Sequence, residues 1–256
     1  METLIISDLD GTLLQGGQKA LDPALFPRLR RLKEQGIGFC VASGRAYGTL
    51  RQLFAPVAEE IFFLSENSAE IHQGSALLRK ICIPRELGQA VVESIACRRD
   101  CFARVNTEVA HYYIVPDEAT AQKLRNIDDP NTVMARSFEE ISGEITQITA
   151  CSPGGIRFPA AALLPQWQGR IGAAITGDHW LDFTTAGKGA GLQWLCDHLG
   201  LSPDRAYAFG DNYNDVPMLE LAGHPYVMDT AAPELLARFP NHTAGVLDTL
   251  AALFPG

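Results

Sequence analysis

The sequence predicts an α/β protein built on a doubly wound, mostly parallel sheet with an α+β domain inserted into it. Three observations carry that prediction. Short apolar runs alternate with helical stretches at both ends of the chain, the pattern of parallel strands joined by helices. The stretch between about residues 84 and 183 breaks the pattern and is punctuated by Pro84, Pro116, Pro130, Pro153 and Pro159. The 256 residues are 46% hydrophobic and 20% charged, enough for one large domain or two ordinary ones and far from a disordered composition. The expected organisation is a sheet domain from 1–83 and 184–256, with 84–183 inserted.

Each element has its own signal. Leu4-Ile5-Ile6 reads as a buried parallel strand. Asp22-Pro23 opens a helix through Leu25, Leu29, Leu32 and Lys33, which Gly36 stops. Ile37 to Ala42 is a second strand, Arg45 to Phe54 a helix and Ile61 to Leu64 a third strand. The far end repeats the order with a helix over Gly189–Leu199, a strand at Ala206–Phe209, a short helix over Asp215–Ala222 and a strand at Tyr226–Met228. Between them, strands are expected near Cys101–Val105 and Tyr112–Val115, and helices near Ala119–Asn126 and Ala161–Ile171.

Charge and cysteines narrow the function. The 21 basic and 30 acidic residues leave a net charge of −9, which argues against a general nucleic-acid binder. No apolar run approaches the roughly 18 residues that cross a bilayer, so no membrane partner is expected. Met1-Glu2-Thr3 lacks the basic flank of a secretory signal, and the expectation is a cytoplasmic protein. Six scattered cysteines form no CxxC pair and are read as reduced and structural. Oligomeric state leaves no signal.

Four short segments follow predicted strands, where open α/β sheets bind their ligands. Asp8-Leu9-Asp10-Gly11-Thr12 places two carboxylates at one strand end. Ala42-Ser43-Gly44-Arg45 offers a hydroxyl and exposed amides before a helix, a combination that attracts phosphate. Gly187-Lys188-Gly189 holds an ammonium at a helix start, without the Ser or Thr of a Walker loop. Gly210-Asp211-Asn212-Tyr213-Asn214-Asp215 crowds carboxylates and amides into a turn, an oxygen-rich set that suits Mg²⁺.

Singly, each has a structural reading. Asp8-x-Asp10 can be a capped turn, Ser43 an N-cap, Arg45 a solvated first-turn residue and Lys188 a surface lysine. Asn214 or Asp215 can cap the following helix, which accounts for one acidic position of that turn but not both. Taken together, an acid pair, a hydroxyl, a lysine and a second acid pair at strand ends form the inventory of phosphoryl transfer through an aspartyl intermediate.

On the segments IISDLDGTLL, VASGR, TAGKGAGL and AFGDNYNDVPML, the chain resembles the haloacid dehalogenase superfamily. Within it, the resemblance is to the Cof-type phosphatases, whose large α/β cap (type IIB) lies between the second and third motifs. That resemblance implies a Rossmann-like core, with Asp8 as nucleophile and Asp10 as acid and then base. It implies phosphate held by Ser43, Gly44, Lys188 and Asn214. It also implies Mg²⁺ bound by the Asp8 carboxylate, the Asp10 carbonyl and Asp211, with Asp215 binding or orienting the metal shell. The substrate it implies is a small phosphorylated metabolite, by default a sugar phosphate, with the cap setting specificity. A phosphomutase using the same chemistry is the nearest alternative, and a phospho-accepting signalling domain a more distant one. Glu66-Asn67-Ser68 departs from the Asn-Gly that relatives usually carry.

Overall fold

The computed structural model describes residues 1–115, 117–124 and 131–255. The chain forms two compact units, one of Met1–Lys80 with Ala186–Gly256 and one of Ile81–Thr185. The first segment holds β1 (Thr3–Asp8), α1 (Leu25–Glu34), β2 (Ile37–Ala42), α2 (Tyr47–Leu53), β3 (Phe62–Ser65), β4 (Glu70–Gln73) and β5 (Ala76–Lys80). The second unit runs through α3 (Arg85–Ala96), β6 (Phe102–Thr107), β7 (His111–Ile114), α4 (Glu118–Leu124), β8 (Thr132–Ala135), β9 (Ile145–Cys151), α5 (Arg157–Trp167), β10 (Gly172–Gly177) and β11 (Trp180–Thr184). The chain returns to the first unit with α6 (Lys188–Leu199), β12 (Ala206–Gly210), α7 (Val216–Leu221), β13 (His224–Met228), α8 (Pro233–Arg238), β14 (His242–Thr243) and α9 (Val246–Leu253).

The first unit is one eight-stranded sheet in the order β14-β13-β12-β1-β2-β3-β4-β5. β1 pairs in parallel with both β12 and β2, and the antiparallel pairings are β3–β4 and β4–β5 at one edge. Successive side chains of a strand point to opposite faces, and β1 uses both. Leu4 and Ile6 pack with Leu192 and Leu195 of α6 and Met218 and Leu219 of α7. Ile5 packs with Leu29 and Leu32 of α1 and Leu250 of α9. The doubly wound α/β reading of the sequence holds, because strand order reverses at β1 and helices cover both faces.

The second unit is an α+β layer with strand order β10-β11-β9-β6-β7-β8. One face of that sheet packs on Val91 and Ile95 of α3 and on Leu163 and Trp167 of α5.

Several boundaries differ from the sequence reading for local reasons. Asp22 takes the Ala24 N–H on its side chain at 2.8 Å and the Leu25 N–H on its carbonyl at 3.0 Å, so Asp22-Pro23 makes the turn before α1 rather than its first turn. α2 starts at Tyr47, since Ala46 is extended (φ −64°, ψ 148°) and leaves Arg45 outside the helix. α5 begins four residues earlier than expected and carries Pro159 in its first turn, where a missing N–H costs nothing. The hairpin β4–β5 went unread. So did β8, β9, β10, β11, β14, α3, α8 and α9. Residues 125 and 126 of one expected helix, Pro116 and Pro130 lie outside the described residues. No helix among the described residues is long and apolar enough to cross a membrane.

Candidate active site

β1 and β12 are neighbours, so the residues at their carboxyl ends meet although they are about 200 positions apart in the chain. Asp8 ends β1 and is buried. Asp211 and Asp215 follow β12. Carboxylate oxygens of Asp8, Asp211 and Asp215 lie within 4.8 Å of one another. Lys188, at the first position of α6, donates from Nζ to Asp8 Oδ1 and to Asp215 Oδ1, the latter at 2.5 Å. Its side chain is 1% exposed.

The local sequence builds this closeness. Gly11 has φ +91°, and a Cβ there would stand 2.2 Å from Asp211 Oδ2. Glycine is required twice over, for the turn and for the approach of Asp211. Thr12 Oγ1 donates to Asp211 Oδ1 at 2.9 Å. A Cβ on Gly210 would meet the Asp215 Cβ at 2.6 Å. Asp215 Oδ2 accepts the Asp211 and Asn212 N–H groups at 3.1 and 3.0 Å, while Asn212 caps the turn on its own side chain. Capping therefore explains one oxygen of Asp215, and Lys188 engages the other.

The electrostatics follow from burial. Desolvation pushes the Asp8 carboxyl well above its ordinary range; Lys188 opposes the rise, while Asp215 and Asp211 add to it. Asp211 is raised as well, by burial and then by Asp215. Burial pulls the Lys188 ammonium down, but Asp215 and Asp8 outweigh it and hold the group above its usual value. Three carboxylates against one ammonium leave negative charge uncompensated. An all-oxygen donor set of this kind is what a hard divalent cation requires.

The other expected residues fall around this cluster. Ala42 at the end of β2 is the register partner of Asp8, and the next residue, Ser43, is buried with its Oγ accepting the Arg45 N–H at 3.1 Å. Gly44 lies in that same turn. Asn214 donates from Nδ2 to Asn67 Oδ1 at 3.4 Å. The Asp10 carboxylate is not in the acidic cluster; it is exposed and held in a bidentate pair by Arg45, at 2.9 Å through Nε and 2.6 Å through Nη2. The reading of Arg45 as a solvated side chain gives way to this pair, a fork that matches a carboxylate. Arg45 and Asn67, which the sequence reading named without giving either a site role, thus lie beside Asp10 and Asn214.

Comparison with known proteins agrees with the fold. The family model described as haloacid dehalogenase-like hydrolase matches residues 5–246. The HMP-PP phosphatase of Cronobacter sakazakii is 27% identical over 255 residues, across 91% of this chain and 86% of that protein. The 5-amino-6-(5-phospho-D-ribitylamino)uracil phosphatase of Escherichia coli K12 is 26% identical over 265 residues, across 96% of this chain and 94% of that protein. Among solved structures, a haloacid dehalogenase subclass IIB sugar phosphatase superposes with a TM-score of 0.79 over 98% of both chains at 21% identity, a likeness of fold. With the family model spanning nearly the whole sequence, the chain belongs to the haloacid dehalogenase-like hydrolases.

Proposed function

We propose that the protein is a Mg²⁺-dependent phosphatase that hydrolyses a small phosphorylated metabolite through an aspartyl phosphate on Asp8. The observation that carries this reading is the meeting of Asp8, Lys188, Asp211 and Asp215 at the carboxyl ends of β1 and β12 and the start of α6. Curated relatives named as phosphatases of small phosphorylated compounds support the substrate class, and a sugar phosphate remains the default. The second unit, Ile81–Thr185, serves in this reading as the cap that sets specificity.

Asp8, Asp211 and Asp215, with the Asp10 carbonyl, would hold Mg²⁺. When bound, the ion supplies charge neutralisation between the nucleophile and the phosphoryl dianion. An Asp8 carboxylate oxygen attacks phosphorus while the bond to the leaving oxygen breaks, and Asp10, which must first leave Arg45 and take up a proton from solvent, gives that oxygen its proton. Asp10 then takes a proton from the water that attacks the aspartyl phosphate, which releases inorganic phosphate and restores Asp8. Lys188, Ser43, the Gly44 backbone and Asn214 hold the phosphoryl oxygens where charge develops.

A panel of phosphorylated metabolites incubated with the protein and Mg²⁺, read as released phosphate, tests the reading. Asp8→Asn is expected to abolish release. Full activity in Asp8→Ala overturns the covalent route, and an isomeric sugar phosphate in place of free phosphate marks a mutase.

A further inference from the structure

The most constrained backbone in the first unit lies outside the four loops described above. Glu66, Asn67 and Ser68 follow β3 with φ of +49°, +54° and +75°, three successive non-glycine residues in the left-handed region. All three are buried. Side chains resist this region, asparagine least among those with a Cβ. Such a conformation survives only where its surroundings hold it, and it gathers at functional sites.

The surroundings here are the site loops. The Glu66 N–H donates to the Arg45 carbonyl at 3.0 Å and the Asn67 N–H to the Ser43 carbonyl at 2.9 Å. Ser68 packs on α6 so closely that a Cβ on Gly191 would stand 2.3 Å from Ser68 Oγ. Asn67 Oδ1 accepts the Asn214 amide at 3.4 Å. One turn is therefore tied to the loop of Ser43, to the helix of Lys188 and to the turn of Asn214.

We propose that Asn67 is a positioning residue that fixes the side-chain amide of Asn214. This rests on the reading of Asn214 as a phosphoryl ligand. A free carboxamide can present either its oxygen or its NH₂ group to an anion, and the two orientations differ by a simple flip. In the structure Asn67 presents Oδ1 as the acceptor of this contact; with Asn67 so oriented, a flipped Asn214 would set two carbonyl oxygens against each other. One N–H is used by Asn67, and the second remains for a phosphoryl oxygen. From this left-handed turn Asn67 bonds Ser43 through its backbone and Asn214 through its side chain.

The test is Asn67→Gly, which tolerates the same backbone but has no acceptor. Its kcat/KM for phosphate release is expected to fall about tenfold, the scale of one hydrogen bond, with an undiminished urea midpoint. On an Asn214→Ala background the same change is expected to cost less than twofold. In ¹⁵N spectra the Asn214 side-chain amide pair should move in Asn67→Gly. A tenfold loss on both backgrounds, wild-type kcat/KM in Asn67→Gly, or an unmoved amide pair would each overturn the proposal. Absence of phosphate release by the wild-type protein would instead overturn the phosphatase reading, and with it the purpose assigned to Asn67.

Discussion

Lys188→Met removes one charge from the acidic cluster and leaves a side chain of similar length. In the wild-type protein the ammonium engages Asp8 and Asp215, both buried. Removing one partner of a buried ion pair costs about 3–5 kcal/mol, because the remaining charge is left desolvated. Proton uptake relieves part of that cost, and its direction is fixed by the raised native values of Asp8 and Asp211. Below the ordinary carboxyl range near 3.8 both folded and unfolded chains are protonated, so nothing is lost. As pH rises through the raised native values, the unfolded chain has released protons that the native state keeps, and stability falls. The deficit in a chelator is therefore expected to widen as pH rises above the ordinary carboxyl range, towards the full ~3–5 kcal/mol. Mg²⁺ at a hundredfold excess over its dissociation constant adds about 2.7 kcal/mol to any form that binds it, so the variant in Mg²⁺ should regain much of the stability of the metal-free wild type at pH 8. Urea unfolding followed by the fluorescence of Trp194, on the same helix as Lys188, measures each quantity. A Lys188→Met protein as stable as wild type at pH 8 without metal would refute the charge argument, and so would Mg²⁺ that stabilises neither form.

Gly11→Ala should lower Mg²⁺ affinity at least about tenfold by calorimetric titration, since its Cβ would stand 2.2 Å from Asp211 Oδ2 and its φ of +91° strains any side chain; an unchanged titration would show that Asp211 is no ligand. His72 stacks on Tyr47 with ring centroids 3.7 Å apart, and burial pulls its pKa down to about 4. Its stability contribution is complete above about 6.5 and is lost as pH falls through about 4. His72→Phe keeps a ring on Tyr47 and should remove about 2–3 kcal/mol of acid sensitivity between those values; an unaltered acid limb in denaturation midpoints would assign that loss to other groups.

Much of this site was legible because its chemistry sits where strands end. Lys188 lies between Gly187 and Gly189 at the start of α6, Asp211 follows Gly210 at the end of β12, Asp8 ends β1, and apolar runs such as Ile37–Ala42 fix where those elements lie. The parts that escaped depend on tertiary placement. Arg45 has a long side chain whose destination is set by the extended Ala46 and by Asp10, neither of which local pattern reveals. The turn at Glu66–Ser68 holds no glycine, and Asn67 alone is a weak sign of the left-handed backbone that all three residues adopt. The β4–β5 hairpin did carry a signal in its Gly74-Ser75 link, with Gly74 at φ +54°, but polar residues at Glu70, His72 and Gln73 mask the alternation of a strand. In the second unit, β9 is buried at every position although Thr146, Gln147 and Thr149 interrupt its apolar residues, so its sequence shows neither an apolar run nor a strict alternation.

The departures from ordinary folding rules in the first unit gather in one place. Away from the carboxyl ends of the strands, local preference and packing agree: Leu4, Ile5 and Ile6 alternate between two apolar layers, and α1 turns Leu25, Leu29 and Leu32 inward. At those ends, three carboxylates share a buried space, an ammonium is sealed among them, and three non-glycine residues take a left-handed backbone. Each is unfavourable alone, by about 1–3 kcal/mol for a strained residue and more for an unpaired buried charge. They persist because β1 is hydrogen-bonded on both sides and cannot move without disrupting the centre of the sheet. That rigidity holds Asp8 against Asp211 and Asp215, so under the proposed function the repulsion that a divalent cation would relieve is built in during folding rather than at the moment of reaction. A site assembled on a flexible edge strand would relax instead, with its carboxylates turning to water.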